Sequence, residues 1–345
     1  MQKRQKKRKL SASKQLRSLK QRRRFNDFTK NQNRYIRRRS KRYTRDRSGN
    51  SSLYNTQNKR IRIHLPSEFS IDNNVEGVLE IIYRTKKLLE NANIRYFDFD
   101  FSKVTDLDDG AATILLSLCH DIAKLKRSVS VNKPSDPDAR KFFEHIGFRQ
   151  FFQGYVQNKD NLNTTLKKGK TTILQKDTVP IIHKAMKTVF GVDKKNQRLQ
   201  GMLIELMTNS VNHAYLNQSK KKREKSWYIS TRHDTVNAKV EFCFVDNGDG
   251  IINTIHVRLG KRLLLSPEEI LERAFEGEFR SRTKQKNRGR GLIVIKKNFD
   301  KFTVTGLKVI TNNVVLDFET GTTTKLRTPF MGTFYSWILD KNCTS

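Results

Sequence analysis

A chain of 345 residues has room for two ordinary domains and a tail. Hydrophobic residues make up only 35%, and 70 Lys and Arg against 34 Asp and Glu leave a formal charge of +36. No apolar run reaches the roughly 18 residues that a membrane-spanning helix needs, so no such span is expected, and the charge points to a polyanionic partner.

Residues 1–58 form a basic arm with about twenty Lys and Arg against Asp27 and Asp46. Its scattered apolar residues cannot bury a core, so the arm is expected to be disordered. It lacks the apolar stretch of a signal peptide, which favours a cytoplasmic protein. Arg22-Arg23-Arg24-Phe25 and Arg34-Tyr35-Ile36-Arg37-Arg38-Arg39 interleave rings with cations. Rings can stack on bases while guanidinium groups meet phosphates, so nucleic acid is a candidate partner. An anionic membrane surface or an acidic protein would satisfy the same charge.

From Arg60 the pattern becomes globular. Arg60 to Leu65 alternates as a strand, Val75 to Leu89 repeats as a helix, and Tyr96 to Phe101 is a period-two strand. The turn Asp108-Asp109-Gly110-Ala111 leads into a helix over Ala112 to Leu125, then a short strand Ser128 to Val131 and a helix from Asp138 that stops at Gly147. Strands alternating with helices predict an α/β layer fold. Residues 59–152 in this order resemble the STAS domain of anti-sigma-factor antagonists. In that family the turn before the helix carries a phosphorylated hydroxyl. Asp108-Asp109 stands there instead, which implies a docking or scaffolding module rather than a kinase substrate. Cys119, Cys243 and Cys343 are far apart, without metal spacing, and read as thiols of a reducing compartment, the first two in apolar runs.

Residues 153–176 are polar and read as a linker, with Asp177 capping a helix that begins near Val179-Pro180 and runs to Phe190. A helix over Asn196 to Tyr215 follows. On it Glu205, Asn209 and Asn212 share one side, and an acid and an amide four apart stand one above the other, placed to hold a metal ion and a water. A hairpin is expected from Ser226–Arg232 and Ala238–Asp246, its second strand ending in an acid followed by Gly248 and Gly250. Ile251 to Arg288 is long and basic, with one helix over Pro267 to Phe275. Arg288-Gly289-Arg290-Gly291 opens an apolar helix, and strands over Thr303–Gly306, Val314–Phe318 and Thr333–Leu339 complete a sheet.

Four boxes in this order resemble the ATP-binding domain of the GHKL superfamily (gyrase B subunits, chaperones of the gyrase type, histidine kinases and MutL), a Bergerat-type α/β sandwich over residues 177–345. Glu205-x-x-x-Asn209-Ser-x-x-His213-Ala is most similar to the bacterial anti-sigma-factor serine kinases. The resemblance implies ATP and magnesium as ligands. It makes Asp246 the acid that accepts from the adenine amine and Thr333 a further hydrogen bond at the base, unless Thr333 is an ordinary strand threonine. Asn209 becomes the magnesium ligand and Glu205 the group that positions the attacking water. Gly289 and Gly291 lie at the phosphates, where a helix N-terminus suits an anion, with Arg288 and Arg290 adding charge. Gly248 and Gly250 let the backbone turn and approach the ligand. His213 either lines the same face or packs as a helix residue. The basic stretch over residues 251–288 takes the position of a lid over ATP. Expected roles are a slow ATPase switch that controls a protein partner, a serine/threonine kinase of a partner-switching pathway, or a nucleic-acid-binding subunit with structural ATP.

Overall fold

The computed structural model describes residues 59–146, 164–169, 175–212, 226–259, 265–279 and 291–344. The basic arm, His213, Arg288, Gly289 and Arg290 lie outside the described residues. Among the described residues no helix is long and apolar enough to cross a membrane.

Strands β1 (Lys59–His64), β3 (Ile94–Asp100) and β5 (Ser128–Val131) form a parallel sheet in the order β1-β3-β5. The alternation in β3 buries Ile94, Phe97 and Phe99, and Phe101 just beyond it is buried too. Burying such a side chain contributes roughly 1.5–3 kcal/mol. Short strands β2 (Glu68–Phe69) and β4 (Asp106–Leu107) pair in parallel at the mouths of two helices, α1 (Ile71–Leu88) and α2 (Asp109–Lys124). Helix α3 (Pro137–His145) is capped by Asp136, whose carboxylate accepts from the amides of Asp138 and Ala139. The alternation of strand and helix expected here is present.

The second half is built on an antiparallel sheet of order β6-β7-β8-β10-β9. Its strands are β6 (Thr164–Gly169), β7 (Trp227–Asp234), β8 (Lys239–Asp246), β9 (Thr305–Asp317) and β10 (Thr322–Leu339). One face carries Trp227, Ile229, Phe242, Phe244, Tyr335 and Trp337 into a core shared with helices α4 (Gln175–Phe190), α5 (Gln197–Asn212), α6 (Ile251–Leu259), α7 (Pro267–Glu276) and α8 (Gly291–Asp300). The other face is not solvated. Helix α2 packs on β7 and β8, and α1 on β10. Residues on that face, Tyr228, Ser230 and Phe334, are buried, and Thr113 of α2 meets Ser230 at 2.6 Å. The described residues of both halves therefore lie in one compact unit. A sheet buried on both faces explains the near-continuous apolar run of β8.

Four expectations are corrected. The 153–176 stretch, read as a linker, contributes edge strand β6. Helix α4 begins at Gln175, so Pro180 falls in its second turn and Asp177 is inside the helix rather than its cap. The 251–288 stretch holds a second helix, α6, besides the expected one at α7. Finally, β9 is one continuous strand, and β10 starts eleven residues before Thr333. Pro329 and the polar run Thr322–Lys325 hide β10 from a pattern reading. The irregularity is absorbed by α1, where the Glu76 carboxylate accepts the amides of Arg327 (2.7 Å) and Thr328 (3.2 Å).

Candidate functional site

Helix α5 starts at Asn196, whose side-chain oxygen accepts the amide of Leu199 at 3.0 Å and so caps a free helix end. It buries Leu199, Met202, Leu203, Leu206, Met207 and Ser210, and leaves Glu205 and Asn209 half-buried on the side that meets α8. A Cβ placed on Gly291, the first residue of α8, would lie 2.7 Å from Glu205 Oε2 and 3.0 Å from Asn209 Oδ1. Two boxes separated by more than eighty residues therefore touch, and a side chain at their junction would have to displace the Glu205 carboxylate and the Asn209 amide. Burial raises the Glu205 pKa above the ordinary glutamate range. The Asn209 side-chain nitrogen is buried without a hydrogen-bond partner among the described residues. Such an atom costs free energy unless something else meets it.

Asp246 ends β8 in register with Trp227 of β7 and Thr333 of β10. Its carboxylate turns toward α5. Oδ1 accepts the Gly248 amide at 2.9 Å, and Oδ2 lies 3.2 Å from Ser210 Oγ, whose one proton is shared with the Leu206 carbonyl at 3.0 Å. Burial pushes the Asp246 carboxyl up to about 6, held back by those hydrogen bonds and by the Thr333 amide. The carboxylate is thus one residue along α5 from the Glu205–Asn209–Gly291 cluster, joined to it by Ser210. Thr333 is buried beside Asp246 in the ladder, and its Oγ1 lies 3.5 Å from Thr311 Oγ1. Just before it, Gly332 at φ +137° brings its α-carbon so close that a Cβ there would sit 2.1 Å from the Asp246 carbonyl oxygen.

The two glycines after Asp246 differ. Gly248 supplies the amide to Asp246 without a positive φ, whereas Gly250 adopts φ +84°. What comes close to Gly250 is protein: a Cβ would meet Asn312 Oδ1 at 2.4 Å. Asn312 accepts the amide of Ile252 at 3.1 Å, donates to the Asp249 carbonyl at 2.9 Å, and with Thr311 Oγ1 on the Ile251 amide at 2.9 Å satisfies the start of α6. Thus α6 offers no free N-terminus, while α8 begins beside Glu205 and Asn209.

Ser210, Thr311, Asn312 and Asn247 were missed as site residues. Ser210 had a signal, adjacency to Asn209 on the helix. Asn312, at φ 54° in the middle of a strand, had none in one dimension. Among the described residues no cluster of three metal-ligating His, Cys, Asp or Glu occurs. The donors present, one amide oxygen and one carboxylate, suit a magnesium whose remaining ligands are phosphate and water, and the missing Cβ at Gly291 leaves a cradle beside them. Two cavities elsewhere among the described residues, about 380 Å³ beside α3 and the β7–β8 turn and about 240 Å³ between α1 and β10, include none of these site residues.

The turn in which Asp108-Asp109 replaces an acceptor hydroxyl is taken up by structural contacts. Asp108 caps α2 through the Ala111 amide at 2.6 Å and accepts Ser70 Oγ at 2.7 Å. Asp109 is buried in an ion pair with Arg232 of β7, which also pairs with Glu241 of β8. Burial raises the Asp109 carboxyl to about 6 against the pull of Arg232. No protein-family model matches the chain, and no curated protein matches it.

Proposed function

We propose that the chain binds ATP with magnesium at the α5–α8–β8 site, hydrolyses it slowly, and uses the bound nucleotide as a conformational switch for a protein partner. The observation that carries this is the meeting of Glu205, Asn209 and Gly291, three residues singled out for one triphosphate site, beside a buried acid at the end of β8. Asn209 would hold magnesium through its oxygen and present its amide hydrogens to phosphate. Glu205, with its pKa raised by burial, suits a base that takes or orients a water proton near neutral pH. The start of α8 would present its amides to the phosphates. Asp246 would accept from an exocyclic amine and disfavour a purine that presents a carbonyl there. The same Glu and Asn would serve a serine/threonine kinase, so phosphate release is measured together with labelling of candidate partner proteins. Release without labelling supports the switch, and labelling supports the kinase.

Asp246→Asn is expected to weaken ATP binding about ten- to a hundredfold, because a charge-assisted hydrogen bond worth roughly 1.5–3 kcal/mol is lost. Isothermal titration on the folded variant checks it, and unchanged affinity removes Asp246 from the base.

A second reading, a nucleic-acid-binding subunit in which ATP is structural, is favoured by the formal charge of +36 and the ring-and-cation runs of the arm. Deleting residues 1–50 is then expected to leave ATP binding intact. It should lower the log–log salt slope of duplex DNA binding by about 0.9 for each phosphate contact removed. Equal slopes for both proteins would assign the charge to another partner.

A further inference from the structure

We infer that Asn247 is a positioning residue for Asp246, and that residues 59–146 hold the nucleotide site in shape through it. The inference rests on the reading of Asp246 as the adenine-reading acid. Neighbouring residues at a strand end face opposite ways. Asp246 turns toward α5, and Asn247 turns to the other face, where α2 lies. There its Nδ2 donates to Asp121 Oδ2 at 2.6 Å, and its Oδ1 lies 3.3 Å from Ser117 Oγ. The Ser117 proton is shared with the Ile114 carbonyl at 2.7 Å, so the Asp121 bond is the stronger hold on the amide.

Two more contacts act at the same end of the sheet. Lys124 of α2 bonds Ser226 Oγ at 2.6 Å, immediately before β7, and pairs with Asp121 at 3.4 Å. Lys86 of α1 donates to the Met331 carbonyl at 2.8 Å, immediately before Gly332 and Thr333 of β10. Trp227, Asp246 and Thr333 are register partners, so the start of β7, the end of β8 and β10 beside Thr333 are each held by a side chain of the first half. Asn312 fixes the far end of the turn after Asp246 at the Asp249 carbonyl, and Asn247 fixes its near end on α2. Because Gly248 in that turn supplies the amide on Asp246 Oδ1, freeing Asn247 would let the carboxylate rotate. Asp121 reaches this end of the sheet through Asn247 and, by its pairing with Lys124, through Ser226, so Asn247→Ala is the variant that isolates the amide.

The test uses the full chain and two nucleotides, ATP and inosine triphosphate, which share the triphosphate and differ at the purine amine. Asp121→Ala is expected to lower ATP affinity about tenfold, part of the value of a charged hydrogen bond. Inosine triphosphate affinity should stay unchanged, so the preference for ATP collapses. Asp121→Asn, which keeps an oxygen for Asn247, is expected to preserve the preference. Asn247→Ala is expected to reproduce Asp121→Ala, and it carries the test if Asp121→Ala does not fold. A folded Asp121→Ala or Asn247→Ala that keeps the parental preference overturns the clamp and leaves the ATP reading standing. Equal losses for both nucleotides also overturn it, since they mark general loosening. A parent that binds neither nucleotide overturns the ATP reading and the clamp with it.

Discussion

Glu205→Ala is expected to bind ATP at close to the parental affinity and to hydrolyse it about 10²–10⁴-fold more slowly, the usual loss when a general base is removed. Asn209→Ala is expected to fail earlier, losing magnesium-dependent binding itself. The two residues stand one turn apart on α5 and share the contact with Gly291, yet truncating Glu205 leaves the Asn209 amide and the Asp246 carboxylate in place. Burial already raises the Glu205 pKa, so the lost group is the better proton acceptor of the pair. Nucleotide titration and phosphate release, run on both variants, separate the roles. Parental turnover in Glu205→Ala would remove it from the water-activating position. A parent that binds ATP and releases no phosphate would make the nucleotide a ligand of assembly.

The largest loss of stability is expected from Gly332→Ala. The residue sits at φ +137°, where a side chain is strained by about 1–3 kcal/mol. The added carbon would lie 2.1 Å from the Asp246 carbonyl oxygen, a backbone atom that cannot swing aside. Strain and clash together should exceed about 3 kcal/mol, which for a chain of this size lowers Tm by about 4 °C or more. Gly321→Ala is the control: it shares a positive φ of 66° and meets nothing within 4 Å, so it carries backbone strain alone. Melting curves of the two variants compare them. Equal losses would show that the β8–β10 approach at Gly332 relaxes freely, and the ladder around Asp246 would then not be the rigid frame described above.

Much of the fold was legible because its strands and helices are strongly periodic. The alternation through Phe97 and Phe99, the helix through Leu206 and Ser210, and the Gly-rich turn after Asp246 all fall where the patterns place them. The meeting of Glu205 with Gly291 was anticipated only through the order of four boxes, since spacing along a chain does not report closeness. What the sequence hid was set by contacts from elsewhere. Strand β10 runs through Pro329 because Glu76 takes over the amides beside it. Gly250 is a glycine because Asn312 fills the space above it. Helix α6 was missed because its start is satisfied by Thr311 and Asn312, sixty residues away, and no local cap announces it.

The burial of both sheet faces has a consequence for how this protein can change over generations. Arg232 of the second half, paired also with Glu241, meets Asp109 of the first, and Asn247 meets Asp121. Replacing the first half by an unrelated α/β module would remove one of the two acids on Arg232 and leave it Glu241 alone. It would also bare the apolar face that α2 covers. The two halves are therefore expected to vary together, and an alignment of relatives is expected to show paired changes at positions 109 with 232, and 121 with 247.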